Sequence, residues 1–442
     1  MEHVSDVAQH VAMPIWASAP FALMLIMIAI GPLLWEHWWE QNKNKLLVSF
    51  LLSVPTVIFL IINGFSHDLE HQIMFDYVPF IILLTSLYVI SGGLFLTGDI
   101  QAKPKINTLF MAIGYVLASI MGTTGAAMLL IRPLITTNSQ RMYKTHTILF
   151  FIAAVANAGG LLTPLGDPPL FLLYLRGADF GWFLHMLPEW LFIGTVLIGL
   201  YYLLDRRYYK KEKPEAIESD NANVEPLRIG GSKNFFLLIG VILCVAFVNV
   251  NYIPEMGNPH GSLWIKYLRE IILIGFILVS MDITKKKTRE LKGFSWTPIY
   301  EVAALFLGIF ITMVPALLYL KENAASFGLS ESWQFYFMTG SLSSFLDNAP
   351  TAVAMHGVAL GLVQEGAAVA EVAGVPELLL TAISMGSVLF GSMTYIGNGP
   401  NFMVKAIAES SGIKMPSFFG YIFKFSLVIL LPLYILTYFL FV

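Results

Sequence analysis

The sequence predicts an all-α integral membrane protein of about ten transmembrane helices plus two re-entrant hairpins, arranged as an inverted-topology repeat. Three observations predict it. The 442-residue chain is 57% hydrophobic and only 12% charged, the composition of a multi-span membrane protein. Two apolar stretches, 106–137 and 332–362, are too long for one crossing and are interrupted in the middle. Finally, one unusual phrase occurs twice, 231 residues apart. Gly160-Leu161-Leu162-Thr163-Pro164-Leu165-Gly166-Asp167-Pro168-Pro169 is echoed by Gly391-Ser392-Met393-Thr394-Tyr395-Ile396-Gly397-Asn398-Gly399-Pro400. No helix runs unbroken through that much Gly and Pro. At membrane depth, such a break survives only where its freed backbone groups meet protein, water or a bound ion.

Charge sets the expected topology. Cytoplasmic loops collect Lys and Arg, and here the basic loops hold Lys43 and Lys45, Lys103 and Lys105, Arg141 and Lys144, the segment 205–234, and Lys285 to Lys292. Spans are expected near 15–35, 46–63, 77–97, 146–175 (broken), 182–204, 234–250, 264–282, 297–319, 378–412 (broken) and 417–441. Both termini then lie outside. Lys266 and Arg269, near an outer end, run against the rule. The opening MEHVSDVAQH lacks the basic start of a signal peptide. WEHWWE, Trp35 to Glu40, reads as an interfacial belt.

The stretch 106–137 decides the fold. As one straight helix it would be about 48 Å long, against a hydrocarbon core of about 30 Å. It carries Gly122-Thr123-Thr124-Gly125 at its middle and basic residues at both ends. A hairpin that dips in and returns keeps both basic ends on one side. The stretch 332–362 is interrupted at Asp347-Asn348-Ala349-Pro350 and lacks basic flanks, so it is expected to open outward. The domains follow: a first half, 1–204, with hairpin 106–137 and broken helix 146–175; a cytoplasmic linker, 205–234; and a second half, 235–442, with hairpin 332–362 and broken helix 378–412. The hairpin tips are Thr123-Thr124 and Asp347-Asn348.

Paired breaks, one per half, point to a solute site at the midplane. Helix N-termini there favour anions and C-terminal carbonyls favour cations, so side chains must decide. Asp167 and Asp347 are the two acids at breaks. A lone carboxylate in low dielectric tends to be protonated, and Na⁺ competing with H⁺ for it is the minimal machinery of antiport. Asn157, Asn348, Asn398, Asn401, Thr163, Thr394 and Ser392 offer further oxygens or hydrogen-bond partners; capping is an equal use for each. Aligning Thr123 with Asp347 also matches Arg132, a candidate counter-ion for Asp167 or anion ligand and otherwise a snorkelling residue, with His356, a candidate proton relay and otherwise a buried neutral histidine. There is no Walker A sequence, G-x-G-x-x-G loop or HExxH pair, which argues against ATP-driven transport by this chain and against intramembrane metalloproteolysis; a membrane enzyme or scaffold would explain neither the paired breaks nor the acids at them. The single Cys244 excludes a disulfide within the chain.

At these residues the chain resembles the ion-transporter superfamily of NhaD-type sodium/proton antiporters, arsenite permeases and citrate or dicarboxylate carriers. Asn157-Ala158-Gly159-Gly160 with Pro164-Leu165-Gly166-Asp167 looks like the NhaD-type N-A-G-G-x-x-[ST]-P-[IL]-G-D segment, and Leu346-Asp347-Asn348-Ala349-Pro350 is similar to the D-N-x-P hairpin motif. The resemblance implies ion binding and proton coupling at Asn157, Asp167, Asp347 and Asn348. It also implies a homodimer working by alternating access. The chain departs from it in lacking acids at the first tip and in having Pro169 two residues after Asp167. The expectation is a Na⁺/H⁺ antiporter in a bacterial inner membrane, with Na⁺ held by Asp167 and Asp347. The alternative is a Na⁺- or H⁺-coupled carrier of a small organic anion such as citrate. Its partners would be the bilayer and the small ion, with no cofactor and no nucleic acid.

Overall fold

The structure, a computed structural model, describes residues 12–39, 41–222, 224–258, 260–284, 289, 294–363 and 371–442. The chain start, most of the Lys285 to Lys292 segment and the middle of the loop before the second broken helix lie outside these residues. The fold is helical, with two small two-stranded ribbons. Among the described residues, eight helices are long and apolar enough to cross a membrane: Ile15–Pro32, Asn42–Ile62, Ser66–Ser91, Pro104–Met121, Thr145–Leu162, Phe180–Tyr209, Thr297–Glu322 and Phe418–Phe441. The protein is an integral membrane protein. Three expected spans are not among the eight because their helices are short, Lys233–Phe247 with 15 residues, Leu268–Ile283 with 16 and the broken 378–412 in two pieces, while Pro104–Met121 is an arm of the first expected hairpin. Glu377–Phe390 and Gly399–Ser410 are 14 and 12 residues long, about 21 and 18 Å.

The stretch 106–137 is two helices, Pro104–Met121 and Thr123–Thr137, joined at one residue. Gly122 adopts φ 79°, a conformation that costs other residues steric strain. Asn107 and Asn138 close the far end by exchanging amide hydrogen bonds of 2.8 and 2.9 Å. Both arms therefore return to the same side. Asp205, at the end of the helix Leu187–Tyr209, knots this base together. It pairs with Arg141 at 2.7 Å and His146 at 2.8 Å, and accepts from Asn107 at 3.3 Å. Breaking one member of such a buried set leaves a charge uncompensated.

The second hairpin is built from Ser332–Phe345 and Asn348–Leu362. Its turn needs no glycine: Leu346 and Asp347 are simply extended. Its returning arm ends where Gly361 meets the carbonyl of Lys321 and His356 Nε2 meets the carbonyl of Ala373 at 2.9 Å. Ala373 touches Gly177, just beyond the first broken helix. The first hairpin instead closes beside Thr145–Ala154, where that broken helix begins. The two hairpins thus close at opposite ends of one broken helix.

The breaks share their construction. The first is Thr145–Ala154, a short turn Ala158–Leu162, and Pro168–Leu175; the second is Glu377–Phe390, Gly391–Met393 and Gly399–Ser410. Thr163 Oγ1 donates to the carbonyl of Ser119 at 2.5 Å, and Thr394 Oγ1 to that of Ser344 at 2.5 Å. Ser119 Oγ donates to the carbonyl of Gly159, and Ser344 Oγ to that of Phe390 at 3.3 Å. Ser119 and Ser344 are 225 residues apart. On that register Thr123 matches Asn348, not Asp347, and Arg132 matches Gly357 rather than His356. The tip alignment expected from sequence is off by one residue, because Asp347 is the residue preceding the returning arm, as Gly122 is.

Two further differences concern the segments expected to face the cytoplasm. The helix expected near 77–97 ends at Ser91, and Phe95–Asp99 forms a strand, β1. The linker 205–234 is structured. It contains the helix Pro214–Ala222 and a strand, β2, Glu225–Gly230, which pairs antiparallel with β1.

The phrase's second glycine has a steric role. A Cβ on Gly166 would sit 2.1 Å from the carbonyl oxygen of Gly160, and one on Gly397 would sit 2.6 Å from that of Gly391. A Cβ on Gly399 would meet nothing within 4 Å. Gly166→Ala is therefore expected to lower the melting temperature in detergent by several degrees or prevent folding, whereas Gly399→Ala leaves it within about a degree. Exposure of the buried Cys244 thiol to a reactive dye gives the readout, and equal behaviour of the two variants contradicts the steric account.

Candidate functional site

Four helices begin at one place. The returning arms start at Thr123 and Asn348, and the second pieces of the broken helices start after Asp167 and Asn398. These four residues are joined through a single carboxylate. Asp167 Oδ1 accepts from Thr123 Oγ1 at 2.9 Å and from Asn398 Nδ2 at 3.2 Å; Oδ2 accepts from Asn348 Nδ2 at 2.5 Å. The Thr123 backbone N–H donates to the carbonyl of Gly166 at 2.8 Å. Asp167 is 1% exposed, so these donors replace the water it has lost.

The carbonyl ends of the facing pieces also approach this point. Several carbonyls there are engaged by side chains. Asn401 Nδ2 donates to the carbonyls of Gly391 (2.8 Å) and Thr394 (2.9 Å). Asn157 Nδ2 reaches Ile152 at 2.8 Å, and Asn398 Nδ2 reaches Ala156 at 3.3 Å. The threonine and serine pairs at the breaks cover four more carbonyls. Asn157 also bridges the halves, donating to Asn401 Oδ1 at 2.6 Å and accepting from Asn398 at 3.2 Å.

The structure gathers Thr123, Asn157, Asp167, Asn348, Asn398 and Asn401 into one network. Others stand apart. Asp347 is half-buried and caps its own helix through the Ala349 N–H at 3.0 Å, with no bond to Asp167. Thr163 and Thr394 brace the breaks. Ser392 bonds Tyr434 Oη at 2.6 Å and the carbonyl of Leu389. Thr124 is exposed. His356 is buried on the far side of the second hairpin, and its Nδ1 has no partner among the described residues. Arg132 is exposed and lines a cavity of about 730 Å³. Lys405 pairs with Glu409 at 2.8 Å. Among the described residues no three His, Cys, Asp or Glu side chains gather as a metal site. Sequence reasoning missed Ser119 and Ser344, the hydroxyls that lock each hairpin to its break. Their only signal is a shared distance before each tip.

Comparison with known proteins agrees with this architecture. The chain is 24% identical over 403 residues to a 46 kDa membrane protein of Mycobacterium leprae (strain TN), covering 84% of this chain and 88% of that relative. Residues 10–442 match the profile of a family described as "Putative citrate transport". That match spans nearly the whole sequence, and the chain belongs to this family of membrane transporters.

Proposed function

We propose that the protein is a secondary active transporter of a small carboxylate of the citrate class, coupled to a cation and working by alternating access. One observation carries this reading: the convergence of four helix N-termini on one point. Each such end carries roughly half a positive charge, so four supply about +2, which the carboxylates of Asp167 and of Asp347, the cap of one of these ends, offset while both are ionised. The opposing carbonyl ends would cancel this field if bare. Instead, the donors of Asn157, Asn398, Asn401, Thr163 and Thr394 lie against them. Once a coupling Na⁺ or H⁺ neutralises these carboxylates, the balance favours an anion. Asp167 supplies the single central carboxylate to which a coupling Na⁺ or H⁺ binds, and the family match supports the same substrate class.

Na⁺/H⁺ exchange without an organic substrate draws less support. One carboxylate suffices for such exchange, but it leaves the donors and helix starts gathered around Asp167 without a use, and Asp347 makes its bond to Ala349 instead of joining Asp167. A cytoplasmic-membrane location with basic loops inside follows from the charge pattern and belongs to the same proposal.

Purified protein in proteoliposomes is expected to accumulate radiolabelled citrate or a related di- or tricarboxylate when an inward Na⁺ or H⁺ gradient is imposed. Asp167→Asn is expected to reduce gradient-driven accumulation by about 100-fold, the scale of losing a buried charge-assisted site. A Na⁺-induced pH change without uptake of any carboxylate would restore the antiporter reading. A second variant separates the two chemistries. Asn398→Asp places another acid against Asp167; carboxylate uptake should then fall at least about 10-fold through repulsion, whereas a cation exchanger would keep or gain response to Na⁺.

A further inference from the structure

The returning arm of the first hairpin, Thr123–Thr137, is accessible along one stripe alone. Thr124, Met128, Arg132 and Thr136 are exposed or half-buried, and every other residue of the arm is buried. Their spacing of four places them on one helical face. The corresponding arm of the second hairpin has no such stripe, being buried from Asn348 to Val353 and from Met355 to Ala359. Met128, Arg132 and Thr136 line the 730 Å³ cavity, whose other walls include Tyr88, β1, Phe294 and Ile407. Above Met128 the stripe reaches Thr124, beside the residue that binds Asp167. Gly399, at the start of the neighbouring helix, is also exposed with open space around it.

Arg132 stands eight residues, about 12 Å, from Thr124 along this face. A helical side chain leans toward the helix N-terminus, here toward the converging helix starts. Arg132 has no hydrogen bond or ion pair among the described residues. The cavity's other charged groups are Asp99 and Glu225, neighbours across the β1–β2 ribbon. Neither pairs with Arg132.

We propose that Arg132 is the charge-selecting residue of an access path for carboxylates, running from this cavity along the Thr124–Met128–Arg132–Thr136 stripe to the four converging helix starts. This rests on the carboxylate reading above. The planar guanidinium offers a two-pronged contact to a carboxylate. Among the described residues it is also the only cation lining a cavity that presents two acids, so its loss leaves those acids to repel an entering anion. A substrate with more carboxylates meets more of that repulsion, which makes the path selective for how charge is paired rather than for size.

The test uses the full chain in proteoliposomes with citrate, succinate and acetate as competing probes. Arg132→Gln is expected to raise the half-saturating concentration of citrate about 10-fold or more, the value of one charge-assisted contact, with a smaller change for acetate. Arg132→Lys should recover part of the loss. An unchanged citrate-to-acetate ratio in Arg132→Gln overturns the proposal while leaving carboxylate transport intact. A second measurement needs no transported substrate. Arg132→Cys should react with a membrane-impermeant thiol reagent from one face of the vesicle, against the silent background of buried Cys244. A cysteine there that is unreactive from both faces removes the path whatever the substrate, whereas a reactive one in a protein that moves no carboxylate removes the function and its selectivity but keeps the opening.

Discussion

The structure depends on one buried carboxylate that belongs to four chain segments at once. Asp167 joins the first break to the first hairpin through Thr123, to the second hairpin through Asn348, and to the second break through Asn398. Hydrogen bonds to a charged group contribute about 1.5–3 kcal/mol each, and a buried charge left without them costs at least as much. The node therefore fixes the relative position of both hairpins and both breaks. A helix interrupted in lipid would otherwise carry exposed polar backbone that the bilayer cannot satisfy.

The two halves are alike where they need to be and unlike where likeness would fail. Each break turns on a glycine pair in backbone contact, and each is held to its hairpin by a threonine and a serine. At the centre the match stops. Asp167 in the first break corresponds to Asn398 in the second, and the amide donates to the acid at 3.2 Å. A second acid at that place would repel the first. Asn157 and Asn401 have no counterparts of their own type in the phrase, and they bond each other between the two breaks at 2.6 Å. The asymmetry gives the site one carboxylate and a surplus of donors.

Much of this was legible in the residues themselves. Apolar length with basic residues at both ends required 106–137 to return on itself, and the recurring Gly/Pro phrase located both breaks. Asp167, Asn348 and Asn398 stand out as polar residues in apolar surroundings, and the structure brings them together. The register of the tips was not legible. Asp347 and Asn348 are adjacent, and sequence cannot say which side chain caps the helix and which reaches across it; an extended Asp347 takes the cap and leaves the crossing to the amide. Ser119 and Ser344 were invisible because serine inside a helix is commonplace. The strand pair was hidden because Glu225–Gly230 reads as polar linker, and its partner is more than 120 residues away.

Sharing one acceptor among residues 123, 167, 348 and 398 also has a consequence for biosynthesis. A ribosome that has made only the first half leaves Asp167 with Thr123 as its sole side-chain donor from this set, and the remaining two arrive after more than 180 and 230 further residues. Until then an underpaired acid lies at membrane depth, which is costly in hydrocarbon. The nascent chain is thus held in a tense, unfinished condition that only its last quarter relieves, and a truncated product carries an intrinsic mark of being incomplete.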